Sequence, residues 1–107
     1  MAFVYLLCDS GQDNTFKIGV TKRAIEKRMR QLQTGNASEI FLVAYYETEY
    51  PYYFERMLHQ KFNSDKKLGE WFDVKENIIQ DFKEECKRLE DLIEAMKDNP
   101  FFVKGLK

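Results

Sequence analysis

AFVYLLCDSGQDNTFKIGV, residues 2–20, sets two strand-like runs on either side of a turn. AFVYLLC, 2–8, and TFKIGV, 15–20, are rich in β-branched and aromatic residues, and DSGQDN, 9–14, is a cluster of turn formers. The pairing predicts a β-hairpin at the front of the chain. A chain that opens on antiparallel strands is not a regularly alternating parallel one, so the expected class is α+β.

The remaining elements follow from the periodicity of apolar residues. Thr21 is placed to cap a helix running to about Gln33, with Ala24, Ile25, Met29 and Leu32 on its apolar side, and Thr34-Gly35-Asn36 stops it. Ile40 to Tyr46 is a third strand, apolar on both faces. Pro51 suits the first turn of a second helix ending near Phe62. NSDKKLG, 63–69, reads as a loop and EWFDV, 70–74, as a short extended piece. Asp73 and Glu76 have capping-box spacing ahead of a long helix, which Pro100 blocks from continuing. In it Ile79, Phe82, Cys86, Leu89, Ile93 and Met96 recur by threes and fours, an apolar seam that either packs on its own domain or joins a homodimer. One domain is expected over 1–98, with a core in 2–74 and a closing helix in 75–98. The end, 99–107, is a loose or docked tail.

Composition narrows the class. In 107 residues, 44% hydrophobic and 15% aromatic content supports a single packed domain rather than a disordered segment. Cys8 and Cys86 form no metal-binding or disulfide pattern. No signal peptide or membrane-length apolar run is present, so a soluble, cytoplasmic setting is expected. The net charge of −1 conceals a division: residues 17–30 carry six basic residues and one acid, whereas 75–98 carry five basic and eight acidic. A concentrated basic stretch is either a solvated helix face or a surface for phosphate.

Candidate site residues come from four elements. YFERMLHQKF, 53–62, puts Phe54, Met57, Leu58 and Phe62 on a core-facing stripe, with Glu55 at its border and His59, the single histidine, beside it. Tyr5 lies on the first strand, Lys17-Ile18-Gly19 on the second, and Arg28 on the basic helix. Each has a plain structural explanation. Tyr5 can be a packing aromatic, Arg28 a surface cation, and Glu55 with His59 a helix-surface pair.

Taken together, Phe3-Val4-Tyr5, Lys17-Ile18-Gly19-Val20-Thr21, Arg28 in KRMRQLQTGN, Glu55 in E-x-x-L-H-x-x-F and Gly69-Glu70-Trp71-Phe72 resemble the GIY-YIG nucleases. The likeness is to the phage and bacterial branch with a KIG second motif, the Meiotically up-regulated gene 113-like domains. It implies a small central three-stranded, mostly antiparallel sheet flanked by helices, and cleavage of DNA with one divalent ion, Mg²⁺ or Mn²⁺. By that resemblance Glu55 would be the metal ligand, Tyr5 would handle the proton of the attacking water, and Arg28 would hold the scissile phosphate. His59 belongs to the same pattern. Lys17, Lys22, Arg23, Lys27 and Arg30 would bind nucleic acid.

The chemistry asks for these residue types independently. A phosphodiester transition state needs a cation and a fork of N–H donors. A hard divalent ion is commonly held by one or two carboxylates, with water and substrate oxygens completing its shell. The chain departs from the pattern in three places. Lys17 stands where many members have tyrosine, Arg28 is one residue further along, and the asparagine after the glutamate has no clear counterpart: Asn63 is too near, Lys67 occupies its place, and Glu70 is a substitute candidate. The expectation is a metal-dependent endonuclease domain that cleaves or nicks DNA. Its rivals are a nucleic-acid-binding module of the same fold without activity, and an assembly domain built on the last helix.

Overall fold

The computed structural model describes residues 2–9, 15–36, 38–62, 71–73 and 78–106. The hairpin is present: β1 (Ala2–Asp9) and β2 (Thr15–Thr21) pair antiparallel, with Phe3 opposite Thr21, Tyr5 opposite Gly19 and Leu7 opposite Lys17. β3 (Ile40–Thr48) pairs antiparallel with the other edge of β1, and a β-bulge leaves Val43 out of the ladder. A three-residue strand, β4 (Trp71–Asp73), adds to β2 at Thr15–Lys17, so the strand order is β3-β1-β2-β4. The three long strands form the antiparallel centre, flanked by helices, in an α+β fold.

Alternation along β1 assigns the two layers. Val4 and Leu6, with Ile18 of β2, face α2 (Pro51–Lys61) and α3 (Ile78–Met96), joining Phe54, Leu58, Phe82, Cys86 and Leu89 in the larger core. Tyr5 and Leu7 face the opposite way, toward α1 (Ile25–Thr34), and pack with Ile25, Ile40, Met29 and Leu32. The basic helix and the acidic helix therefore lie on opposite faces of one sheet. The charge division seen along the chain becomes a division in space.

Two details differ from the sequence reading. Thr21 does not cap α1: it is the last residue of β2, opposite Phe3, and its Oγ1 accepts from the Arg23 backbone N–H at 3.0 Å. The helix starts later, with Ala24 as a cap that offers no side-chain oxygen. On α3 the seam is shifted by one residue at its start, because Ile78 is 6% exposed and Ile79 is 39% exposed. From Phe82 to Leu89 the seam is filled by the domain's own core, which leaves a homodimer through this helix without support. Glu76 and the side chain of Asp73, the expected capping box, lie outside the described residues, as do the 63–69 loop and most of the 9–14 turn.

The end of the chain is docked. α4 (Pro100–Lys104) starts on Asn99, whose Oδ1 accepts from the backbone N–H groups of Phe101 and Phe102 at 3.0 and 3.3 Å. Phe102 meets the Tyr53 ring edge-on at 5.9 Å, Leu106 is buried in the larger core, and Arg56 donates to the Gly105 carbonyl at 3.1 Å. Among the described residues, no helix is long and apolar enough to cross a membrane.

Candidate nucleic-acid interface

The site begins with a glycine. Tyr5 and Gly19 are opposite one another on β1 and β2, and the Tyr5 ring lies across Gly19 so closely that a Cβ there would stand 2.5 Å from the Tyr5 hydroxyl. Any side chain at position 19 would displace the ring. The glycine of the Lys17-Ile18-Gly19 motif is thus required by close approach rather than by backbone conformation. Lying flat, Tyr5 is only 1% exposed, and its hydroxyl reaches the edge of α1.

There it meets Arg28, whose Nε donates to Tyr5 Oη at 3.2 Å. Nη1 of the same guanidinium donates to Gln31 Oε1 at 3.0 Å, an i,i+3 contact on one helix face. Two bonds from different directions fix the plane of the fork. Among the described residues its other N–H groups take no acceptor, and they adjoin a cleft. Sequence reasoning picked Arg28 and Tyr5 and missed Gln31, whose signal is only its spacing from Arg28.

That cleft, about 340 Å³, is walled by Val20, Thr21, Lys22 and Arg23 from the end of β2, Arg28 and Gln31 from α1, and Pro51 and Tyr52 from the start of α2. The bond from Arg23 N–H to Thr21 Oγ1 turns the chain sharply, and Lys22 and Arg23 stand exposed at the rim. A second hollow, about 250 Å³, shares Gln31 and adds Leu7, Lys17, Leu32, Gly35, Asn36 and Ile40. Lys17 is on the same side of β2 as Gly19 and Thr21, by alternation. A track of cations therefore runs along β2 from Lys17 past Arg28 to Lys22 and Arg23. Lys27 and Arg30 are exposed on α1, but neither lines these two hollows.

The end of KRMRQLQTGN braces this surface. Gln33 Oε1 accepts from the Ile40 backbone N–H at 2.8 Å, and Asn36 Nδ2 donates to the Ser38 carbonyl at 2.8 Å and to Asp9 Oδ2 at 3.3 Å. These bonds tie the end of α1 to the ends of β1 and β3.

Glu55 and His59 are on α2, and neither lines the cleft that holds Arg28. His59 Nε2 is 3.2 Å from the Ile18 carbonyl, an acceptor only, so this bond requires the proton on Nε2. Pro51 and Tyr52 stand beside Val20–Arg23, and His59 stands beside Ile18, so α2 runs along β2. Glu55 lies on α2 between those two contacts and is half-buried. Among the described residues no group of three or more His, Cys, Asp or Glu is gathered to hold a metal. Carboxylate ligation of a hard divalent ion commonly leaves water and substrate oxygens to complete the shell. Gly69 and Glu70, and the side chains of Trp71 and Phe72, lie outside the described residues, as do Asn63 and Lys67.

Comparison with known proteins decides the family. The model of the T5orf172 domain matches residues 2–89, the whole sheet and most of α3. The chain belongs to the T5orf172 domain family. Phe3-Val4-Tyr5, Lys17-Ile18-Gly19, Arg28 and Glu55 all lie inside that match. The T5orf172 family therefore replaces the GIY-YIG nucleases as the family of this chain. The chain is also similar to "Putative KilA-N domain-containing protein 315L" of Invertebrate iridescent virus 6, at 33% identity over 78 residues, 68% of this chain. This T5orf172 chain spans about a third of the length of that relative, 33%. No solved structure matches it.

Proposed function

We propose that this T5orf172 domain binds DNA along the β2–α1 track and hydrolyses a phosphodiester there with one divalent ion, Mg²⁺ or Mn²⁺. The observation that supports it is the fixed guanidinium of Arg28, braced by Tyr5 and Gln31 at a cleft rimmed by Lys22 and Arg23. A planar fork that has lost its rotational freedom before binding suits a phosphate better than a free surface arginine does. Lys17 on β2 and Arg23 in the turn after it flank the guanidinium on either side, which suits a repeating polyanion.

In this reading Arg28 takes the non-bridging oxygens of the phosphate and stabilises the charge that grows on them in the transition state. Tyr5 positions Arg28. Glu55 would hold the ion, which supplies Lewis-acid charge and a more acidic water. His59 keeps α2, and with it Glu55, against β2 through the Ile18 carbonyl.

Nicking of supercoiled plasmid by the purified chain, with Mg²⁺, Mn²⁺ or EDTA, tests the reaction. Glu55→Gln should retain binding in EDTA and lose nicking by orders of magnitude. Binding that persists with no nicking under any ion would reduce the reading to a DNA-binding domain.

A further inference from the structure

Tyr52 is not accounted for by phosphate binding. It lies in the first turn of α2 at the mouth of the cationic cleft, and it is 57% exposed although it is a large aromatic. The neighbouring tyrosine Tyr53 is buried, so the helix has turned one ring into the core and the other outward. Lys22 Nζ stands 5.4 Å from the centre of the Tyr52 ring, a cation–π contact that holds the ring at the rim. An aromatic ring has two faces, and Lys22 takes one.

We infer that Tyr52 is a stacking platform for an unpaired base, and that the cleft takes a strand with a splayed nucleotide, as at a flap, nick or single strand, in preference to intact duplex. A cleft of about 340 Å³ is near the lower end of small-molecule sites, roughly 300–1,000 Å³. Its volume is on the scale of a single nucleotide. Arg28 and Arg23 supply its charge complement, and Tyr52 offers the π surface on which any base stacks regardless of sequence. A base still paired in a duplex presents no face to such a ring. Aromatic exposure next to fixed cations is the arrangement that single-strand binding requires.

The inference rests on the phosphate-binding reading of the cleft, and one experiment separates them. The affinity of the intact chain is measured for a short oligothymidylate, for its abasic counterpart and for a blunt duplex with the same number of phosphates. The proteins are wild type, Tyr52→Ala, Tyr52→Trp and Arg28→Ala, each checked for folding by circular dichroism. Tyr52→Ala should weaken oligothymidylate binding about ten-fold or more beyond any loss on the duplex. Tyr52→Trp should restore it, and wild type should prefer the oligothymidylate over the abasic strand. Equal losses on all three probes, or none, would overturn the platform while leaving the cleft in place. If Arg28→Ala also changed nothing on any probe, the phosphate reading would fall with it.

Discussion

Arg28 Nε donates a hydrogen bond to Tyr5 Oη at 3.2 Å, joining a cation on α1 to a ring buried against β2. The bond explains why a tyrosine rather than phenylalanine occupies the α1 face of β1. Tyr5→Phe keeps the packing and removes the acceptor. Stability should fall by only about 0.5–1.5 kcal/mol, the usual net value of one hydrogen bond. Function should respond more, because Arg28 loses one of its two braces. Gln31→Ala should have a similar, smaller effect, and the double variant should approach Arg28→Ala in DNA binding. Thermal melts and binding isotherms on the three proteins check this.

The Tyr5 ring across Gly19 makes a second prediction. Gly19→Ala places a methyl 2.5 Å from the hydroxyl and 2.7 Å from Cζ, so the ring must lift and leave Arg28. A cost of about 1–3 kcal/mol is expected for overpacking a buried site. In a Tyr5→Ala background the same methyl enters vacated space, and the cost should shrink or vanish. A double-mutant cycle from denaturant midpoints reads the coupling directly.

Alkaline stability should depend on Cys86. Burial, and then the nearby Glu85 charge, push its thiol from the usual 9.0 up to about 12. The unfolded chain ionises this thiol near pH 9 while the folded chain holds it neutral. Its contribution is therefore complete below about pH 9 and is lost as pH rises toward 12. Cys86→Ala should melt lower at pH 7, for loss of packing, yet show a shallower fall in Tm above pH 9. Parallel curves for the two proteins would refute the assignment.

The last helix should behave as part of the domain. Leu89 is fully buried in the larger core with Phe82 and Cys86, so Leu89→Glu should unfold a monomer rather than dissociate a dimer. Sedimentation of wild type should show a single monomeric species at micromolar concentration. Folded monomers released from a wild-type dimer would contradict the packing described here.

The sequence carries much of this arrangement because its signals are periodic. Two alternating runs around a turn define the hairpin, and threes and fours define the helices. What it hides depends on competition for the same atoms. Thr21 has a good capping side chain, but its hydroxyl serves Arg23 N–H and its backbone continues β2. Ile78 and Ile79 are both apolar, and only packing decides between them. Glu85 reads as one more acid on a solvated helix, yet it is 6% exposed, bonded by Arg88 with Lys61 3.9 Å away. In the site, Tyr5, Gly19 and Arg28 are visible as short motifs. Gln31 and Tyr52 are not, since a glutamine on a basic helix and one tyrosine beside another carry no pattern of their own. The family is also beyond such motifs: they resemble the GIY-YIG nucleases, and the match over residues 2–89 assigns this chain to T5orf172.

The most direct test of the account is the nicking rate of Arg28→Ala at saturating DNA and Mg²⁺, beside wild type. If the guanidinium stabilises the phosphate in the transition state, turnover should fall by roughly 10²–10³, as for other preorganised donors. Replacing exposed Arg30 by alanine should leave turnover unchanged. An Arg28→Ala protein that binds DNA more weakly but turns over at the wild-type rate once saturated would contradict the account, and would make Arg28 one more surface cation on α1.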